Sequence, residues 1–434
     1  MAGFIQYKPE KFRHVFNNLL MGIEGMNGAM QDIGDPREVC MIEVMKVFEK
    51  YLRDLFAAVD SGKKILFHCG LVSPEIFLAF ENMHPYAMEI PFVIHSFLDP
   101  EHANEFIDIA EGLGMPPDVC CLDKGFLGFT LQEVNPPCDF VVTPTAPCDS
   151  LITGHQVLEK IIDAPFMYLE VPYWQDRRAV DLFSHHIWKV IRTVEEVCHT
   201  RLDWDRCREN ILLANEAVEN FIEENEMRKL IPCPHAGKMG TIQAILNYAA
   251  AGTVGARDVS TFIVQDSKRL AAKKQGALAD ERARIMWYYP DPLHDLGLHD
   301  WLEDEYNAIT VMTMFGHATQ TLIDPSTPES IVKGWAWKML NTAMTRQLRG
   351  PHEYFMDDLI SVMKGWHIDA AVVPMVIPCK HSQALHGFVR EACRELDMPV
   401  LLVEYDPLDP RPVPMEEVRN KVAEFMETQV LPLK

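Results

Sequence analysis

Between residues 9 and 60 the apolar positions recur at helical spacing, broken only at Gly34-Asp35-Pro36, which predicts two helices. In the second, Met41, Val44, Met45, Val47, Phe48, Leu52 and Leu55 share one face. From Lys64 onward short apolar runs alternate with helical patterns. Residues 65–69 read as a buried strand, 74–82 as a short helix favoured by a leading proline, 89–94 as a second strand and 99–112 as a helix. Residues 138–172 read as strand (139–143), helix (149–162) and strand (166–171). That β-α-β order implies a parallel sheet.

From Arg177 to about Arg284 the strand signal stops and long helices take over. One covers 203–230, with Cys207, Ile211, Leu212, Ala214, Val218 and Phe221 inward. Alternation then resumes. Strands are expected at 285–289, 308–312, 370–376 and 399–405, and helices across 329–349, 353–367, from about 382, and 416–425. The predicted fold class is α/β: two parallel-sheet, Rossmann-like domains, an intervening helical region and an N-terminal helical segment. The boundaries expected from the pattern are 1–60, 61–176, 177–283 and 284–434. No repeat of solenoid period is present, but each α/β half places a cysteine after a strand.

Charge narrows the partners. The 434 residues carry 63 acidic against 40 basic groups, a formal net charge of −23. A nucleic-acid partner would need a basic footprint, so none is expected. No run approaches the roughly 18 charge-free apolar residues of a membrane span, and the N-terminus lacks the apolar core of a secretory signal. A cytoplasmic protein with no membrane association is therefore expected, and its 11 cysteines should remain reduced.

Three of those cysteines occupy special positions. Cys120 opens a helical segment, Cys148 opens the helix after strand 139–143, and Cys379 follows strand 370–376. Carboxyl ends of strands in open α/β sheets form the ligand crevice. A helix N-terminus also lowers the pKa of a thiol placed there. Three thiolates converging on one crevice suit a metal or an iron–sulfur cluster. Cys40, Cys207 and Cys393 lie on helix faces as small core residues, and Cys69 and Cys138 flank strands, where packing is the simpler reading. Cys121 points about 100° away from Cys120 if both are helical. His185-His186 and Cys198-His199 lack the HExxH spacing of a zinc helix, and no CxxC pair, glycine-rich phosphate loop or GxSxG elbow occurs.

Four segments together resemble subunits of the 2-hydroxyacyl-CoA dehydratase and benzoyl-CoA reductase family. They are Pro74-Glu75 after an early strand; Asp118-Val119-Cys120 with Lys124 and Gly128 following; Pro147-Cys148-Asp149 continuing to Val171-Pro172-Tyr173; and Cys379-Lys380 with the later run from Met398 to Glu404 and Asp406-Pro407-Leu408-Asp409-Pro410-Arg411. Lys380 and the Val-Pro-Tyr segment look like the larger subunit, whereas Cys148-Asp149 is similar to the smaller. The middle region matches only as generic helices. The resemblance implies a [4Fe–4S] cluster held by Cys120, Cys148 and Cys379, the Gly128 spacing selecting Cys120 over Cys121. It also implies an acyl-CoA substrate, a homologous second subunit in a heterodimer or larger assembly, and an ATP-dependent iron–sulfur activator as electron donor. The implied reaction is elimination of water from a 2-hydroxyacyl-CoA through a ketyl radical at an iron left open by the three thiolates.

Other readings stay open on the residues alone. They are ring reduction of a benzoyl-CoA type, an electron-transfer protein whose cluster is fully ligated or double, and a cluster-free protein with buried thiols. His381 and Ser382, beside the third cysteine at a helix start, are the candidate catalytic residues, with capping by Ser382 as the alternative. Lys124, Arg177, Arg178 and Lys380 are the cations nearest in sequence for a CoA phosphate tail, or ordinary solvated charges.

Overall fold

The helical period of residues 9–60 becomes α1 (Pro9–Ile33) and α2 (Val39–Asp60) in the computed structural model, which describes residues 4–317 and 321–433. Gly34 ends α1 in the left-handed region at φ 70°, where a glycine carries no Cβ penalty. The shared apolar faces hold Phe12, Phe16, Val44, Leu52 and Leu55 wholly buried. Each such side chain contributes about 1.5–3 kcal/mol by leaving water.

The first sheet contains β1 (Lys64–His68), β2 (Met83–Ala87), β3 (Phe140–Pro144) and β4 (Phe166–Leu169), in the order β2-β1-β3-β4, all parallel. Between β2 and β3 run α3 (Ile90–Leu98), α4 (Pro100–Gly112) and α5 (Cys121–Leu131), and α6 (Asp149–Ile161) joins β3 to β4. Four helices follow: α7 (Arg177–Cys198), α8 (Trp204–Met227), α9 (Met239–Ala250) and α10 (Val254–Ala272). The second sheet repeats the plan with β5 (Ala283–Trp287), β6 (Ala308–Thr313), β7 (Ala370–Val376) and β8 (Val400–Tyr405), ordered β6-β5-β7-β8 and again parallel. Its helices are α11 (Gly297–Tyr306), α12 (Pro328–Asn341), α13 (Thr345–Leu348), α14 (Glu353–Gly365), α15 (Lys380–Glu395) and the closing α16 (Met415–Phe425). The predicted α/β class with two Rossmann-like parallel sheets is what the chain adopts.

Three local expectations are corrected. Residues 89–94, read as a strand, form the start of α3, with Pro91 in its first turn, where proline is favoured. The strand lies upstream instead, at β2, which the sequence hides behind Pro85. Because β2 is an edge strand, that proline removes no ladder bond the sheet needs. Residues 74–82 form only a single 3₁₀ turn, Phe77–Ala79, because Glu75 is drawn inward. The helix expected across 329–349 breaks between α12 and α13 at Met344, whose φ is 64°.

One packing detail positions the site. A Cβ on Gly128 would fall onto the carbonyl oxygen of Phe106, so α5 lies directly against α4. This close approach fixes α5 along its length, and with it Cys120 at its start.

Burial also sets an acid limit. His68, His84, His95, His294 and His317 are held below the usual imidazole pKa first by burial, His84 down to about 4. The unfolded chain binds protons at these sites near pH 6.5, whereas the folded one resists until lower pH. Stability from the neutral rings is thus fully present above about pH 6.5 and is lost as pH falls toward 4. His84 alone contributes on the order of 3 kcal/mol to that loss. Denaturation midpoints at pH 7, 5.5 and 4.5 should fall less steeply in His84→Gln than in the native chain. Parallel declines would remove His84 from the account.

Candidate metal centre

Both sheets have a switch point where the chain, having added one neighbour, crosses to the other side of its first strand: between β1 and β3, and between β5 and β7. Crevices open at the carboxyl ends of strands at such points. Cys148 follows β3 and occupies the N-cap of α6; Cys379 follows β7 and occupies the N-cap of α15. Cys120 is the N-cap of α5. None of the three uses its side chain to cap, and all 11 cysteines are free.

The three sulfurs share one electrostatic neighbourhood. Cys148 and Cys379 each make ionisation of Cys120 harder, Cys379 does the same to Cys148, and all three act on the Tyr289 hydroxyl. They do not form a tight trio of the kind that grips a single ion. Among the described residues, the groups of three ligand atoms within 4.8 Å of one another are Cys40, His235 and Asp266, and separately Cys69, Glu89 and His155. A multi-iron cube, with one thiolate on each of several irons, requires the wider arrangement.

The expected lowering of thiol pKa is realised at one position. Burial pushes Cys120 and Cys148 well up, with Asp123 adding to the effect on both. At Cys379 burial acts in the same sense, but His381, Tyr289 and the Ser382 N–H outweigh it and hold the thiol below its ordinary value. Tyr289 Oη lies 3.1 Å from Cys379 Sγ. Helix N-termini alone do not offset burial here. Three crowded thiols of this kind need either protons or metal cations to sit together.

The supporting contacts come from both halves. The Cys120 N–H donates to Ser150 Oγ at 2.9 Å, and Ser150 Oγ donates to Asp123, a buried carboxyl whose pKa burial lifts to about 6. Lys380 reaches Asp118 at 3.4 Å, across from the second half to the first. Cys121 is turned the other way: its thiol, 3% exposed, donates to Asp406 at 2.8 Å. Cys138 precedes β3, at the opposite end of that strand from Cys148.

His381 is half-buried and near enough to the Cys379 sulfur to favour its thiolate form. Ser382 is buried, and its hydroxyl donates to the carbonyls of Cys379 at 3.0 Å and Val376 at 3.3 Å. The helix cap is Cys379, not Ser382. Lys124 is buried against Glu111 at 2.6 Å and the Pro117 carbonyl, so it is committed within its own half. Arg177 and Arg178 are over nine-tenths exposed and pair with Asp181 and Asp176.

Sequence reasoning missed Tyr289 and Asp123. Tyr289 lay at the end of an expected strand, two residues beyond β5, where the switch-point rule looks for ligand contacts. Asp123 carried no local signal, since its role depends on Ser150 from another helix.

Among the described residues no helix is long and apolar enough to cross a membrane. No curated protein matches the chain. A family model described as 2-hydroxyglutaryl-CoA dehydratase, D-component, matches residues 69–428.

Proposed function

Because the chain belongs to the 2-hydroxyglutaryl-CoA dehydratase D-component family, we propose that it is a cytoplasmic iron–sulfur subunit that removes water from a 2-hydroxyacyl-CoA. The observation that supports this reading is that three N-cap cysteines, Cys148 and Cys379 following strands of different sheets, act electrostatically on one another and on Tyr289, whose hydroxyl lies 3.1 Å from the Cys379 sulfur. Cys120, Cys148 and Cys379 would hold a [4Fe–4S] cluster. Their chemistry fits it: buried sulfurs that repel one another as thiolates are compensated by ferric and ferrous charge. When bound, such a cluster supplies one-electron redox chemistry.

The chain's own residues supply the surroundings. Tyr289 hydrogen-bonds the Cys379 sulfur and His381 favours its thiolate, and polar neighbours of this kind at a ligand sulfur tune a cluster's potential. Ser382 anchors the first turn of α15 and so fixes where Cys379 points. His381 is the side chain best placed to hold or pass a proton, because the Ser382 proton is directed to backbone carbonyls. Asp123, Ser150 and the Cys120 N–H form a fixed chain that orients the start of α5. A homologous second subunit and an ATP-dependent iron–sulfur activator would complete the enzyme.

The test is anaerobic purification with partner and activator, followed by turnover of a panel of CoA esters. We expect about four irons per chain, loss of water from a 2-hydroxyacyl-CoA, and a change in the cluster spectrum when that ester is added. Ring reduction of an aromatic acyl-CoA without dehydration would replace this reading by its reductase counterpart. Iron near eight per chain, with a spectrum unmoved by every ester, would make the protein an electron carrier.

A further inference from the structure

A second set of ligand-type side chains stands apart from the three N-cap cysteines, and the proposed reaction makes no use of it. Cys40 comes from the first turn of α2, His235 from the segment between α8 and α9, and Asp266 from α10. Cys40 Sγ lies 3.5 Å from His235 Nε2, and Asp266 Oδ2 lies 3.3 Å from the same nitrogen. Cys40 is 2% exposed and His235 6%, while the Asp266 side chain is 12% exposed and gives the group its one open side.

The remaining contacts orient these three atoms. Glu224 Oε1 is 3.0 Å from His235 Nδ1, and Ser267 donates to the other oxygen of Glu224. A carboxylate on Nδ1 keeps the proton there and turns the Nε2 lone pair outward, the arrangement that prepares histidine for a metal. Arg269 takes Asp266 Oδ1 at 2.6 Å and leaves Oδ2 facing the histidine. Arg228 stands 3.8 Å from Glu224 and offsets its charge.

We propose that Cys40, His235 and Asp266 form a mononuclear zinc site with water as the fourth ligand. Tetrahedral zinc with bonds of about 2.3 Å to sulfur, about 2.0–2.1 Å to nitrogen and about 2.0–2.2 Å to oxygen sets its ligand atoms roughly 3.4–3.6 Å apart. The separations from His235 Nε2, 3.5 Å to sulfur and 3.3 Å to oxygen, lie within about 0.1 Å of those edges, and all three ligand atoms lie within 4.8 Å of one another. Sulfur, imidazole and carboxylate together suit zinc better than magnesium or calcium, which require oxygen cages. The ion ties α2 to α10 and to the segment before α9. The site is independent of the iron–sulfur reading, because Cys40 lies outside the family-matched region and none of the three residues is a proposed cluster ligand.

The experiment uses the full chain, purified anaerobically and supplied with zinc. Metal analysis should find about one zinc per chain, retained when Cys120, Cys148 and Cys379 are all replaced by alanine and lost in Cys40→Ser and His235→Gln. X-ray absorption at the zinc edge of the unmutated protein should show one sulfur at about 2.3 Å with nitrogen and oxygen completing the shell. This second measurement decides the matter even if a variant fails to fold. Zinc bound by no sulfur, or by three, would overturn the proposal, and three would place the metal among the cluster cysteines instead. No bound zinc in the unmutated chain would overturn it as well.

Discussion

Replacing Cys120 by alanine should strip most of the iron and lower turnover by more than about 100-fold, since losing only an outer-shell partner of a metal ligand costs about 10–100-fold. On the proposed ligand set, only two of the three thiolates would then remain to hold the cluster. The neighbouring replacement, Cys121→Ala, should leave the iron in place. Its sulfur is already engaged with Asp406 and points into the packing between α5 and the segment after β8. The cost there is one hydrogen bond to a buried carboxyl, about 1–2 kcal/mol of stability. Iron content, the visible spectrum and thermal stability measured on both variants separate the two roles. Equal iron loss in the pair would mean that Cys121 also binds metal or supports the fold around it. Loss in the Cys121 variant alone would assign the ligand to the other member of the doublet.

The largest expected effect on stability lies at Lys338. Glu75 is wholly buried, and its carboxylate is held by the Lys338 ammonium and by Trp335 Nε1 at 3.2 Å. Burial by itself would push this carboxyl up; Lys338 reverses that and brings it below its usual range. Lys338→Met removes the compensating charge and should destabilise the protein by about 3–5 kcal/mol, the usual cost of leaving a buried charge alone. Lys338→Met combined with Glu75→Gln should recover much of that loss, because no charge is then stranded. Denaturant unfolding of the two variants checks the sign. A double variant no more stable than the single one would show that the pair is not what holds α12 to the first half.

Which parts of this could be read in advance follows from how local each cause is. The run Ala370–Val376 emerges with its bounds as expected, because a β-branched stretch buried on both faces has no competing helical period. The three N-cap cysteines are legible for a similar reason: each stands where one period gives way to another. The stretch around Ile90–Leu98 misleads because Ile, Phe and Val in series imitate a strand, while the true edge strand is masked by Pro85. What stays invisible depends on distant partners. Nothing near Cys121 announces Asp406, nothing near Cys379 announces Tyr289, and nothing near Cys40 announces His235 and Asp266. Those pairings exist only once the helices have packed.

The segment after β8 carries one more consequence. Asp406 takes the Cys121 thiol, the Leu408 carbonyl accepts from Ser96 at 3.0 Å, and Arg411 pairs with Asp108 at 2.7 Å. The first half of the protein therefore borrows closing contacts from residues synthesised 285 to 312 positions later. Nascent chains generally fold from the N-terminus as they leave the ribosome. Here α4 and α5 must wait, with Cys121 and Asp108 lacking these partners, until the segment after β8 has been made. Cys379 also follows the first half by more than 200 residues, so a cluster held as proposed by Cys120, Cys148 and Cys379 could be assembled only once both halves have been made.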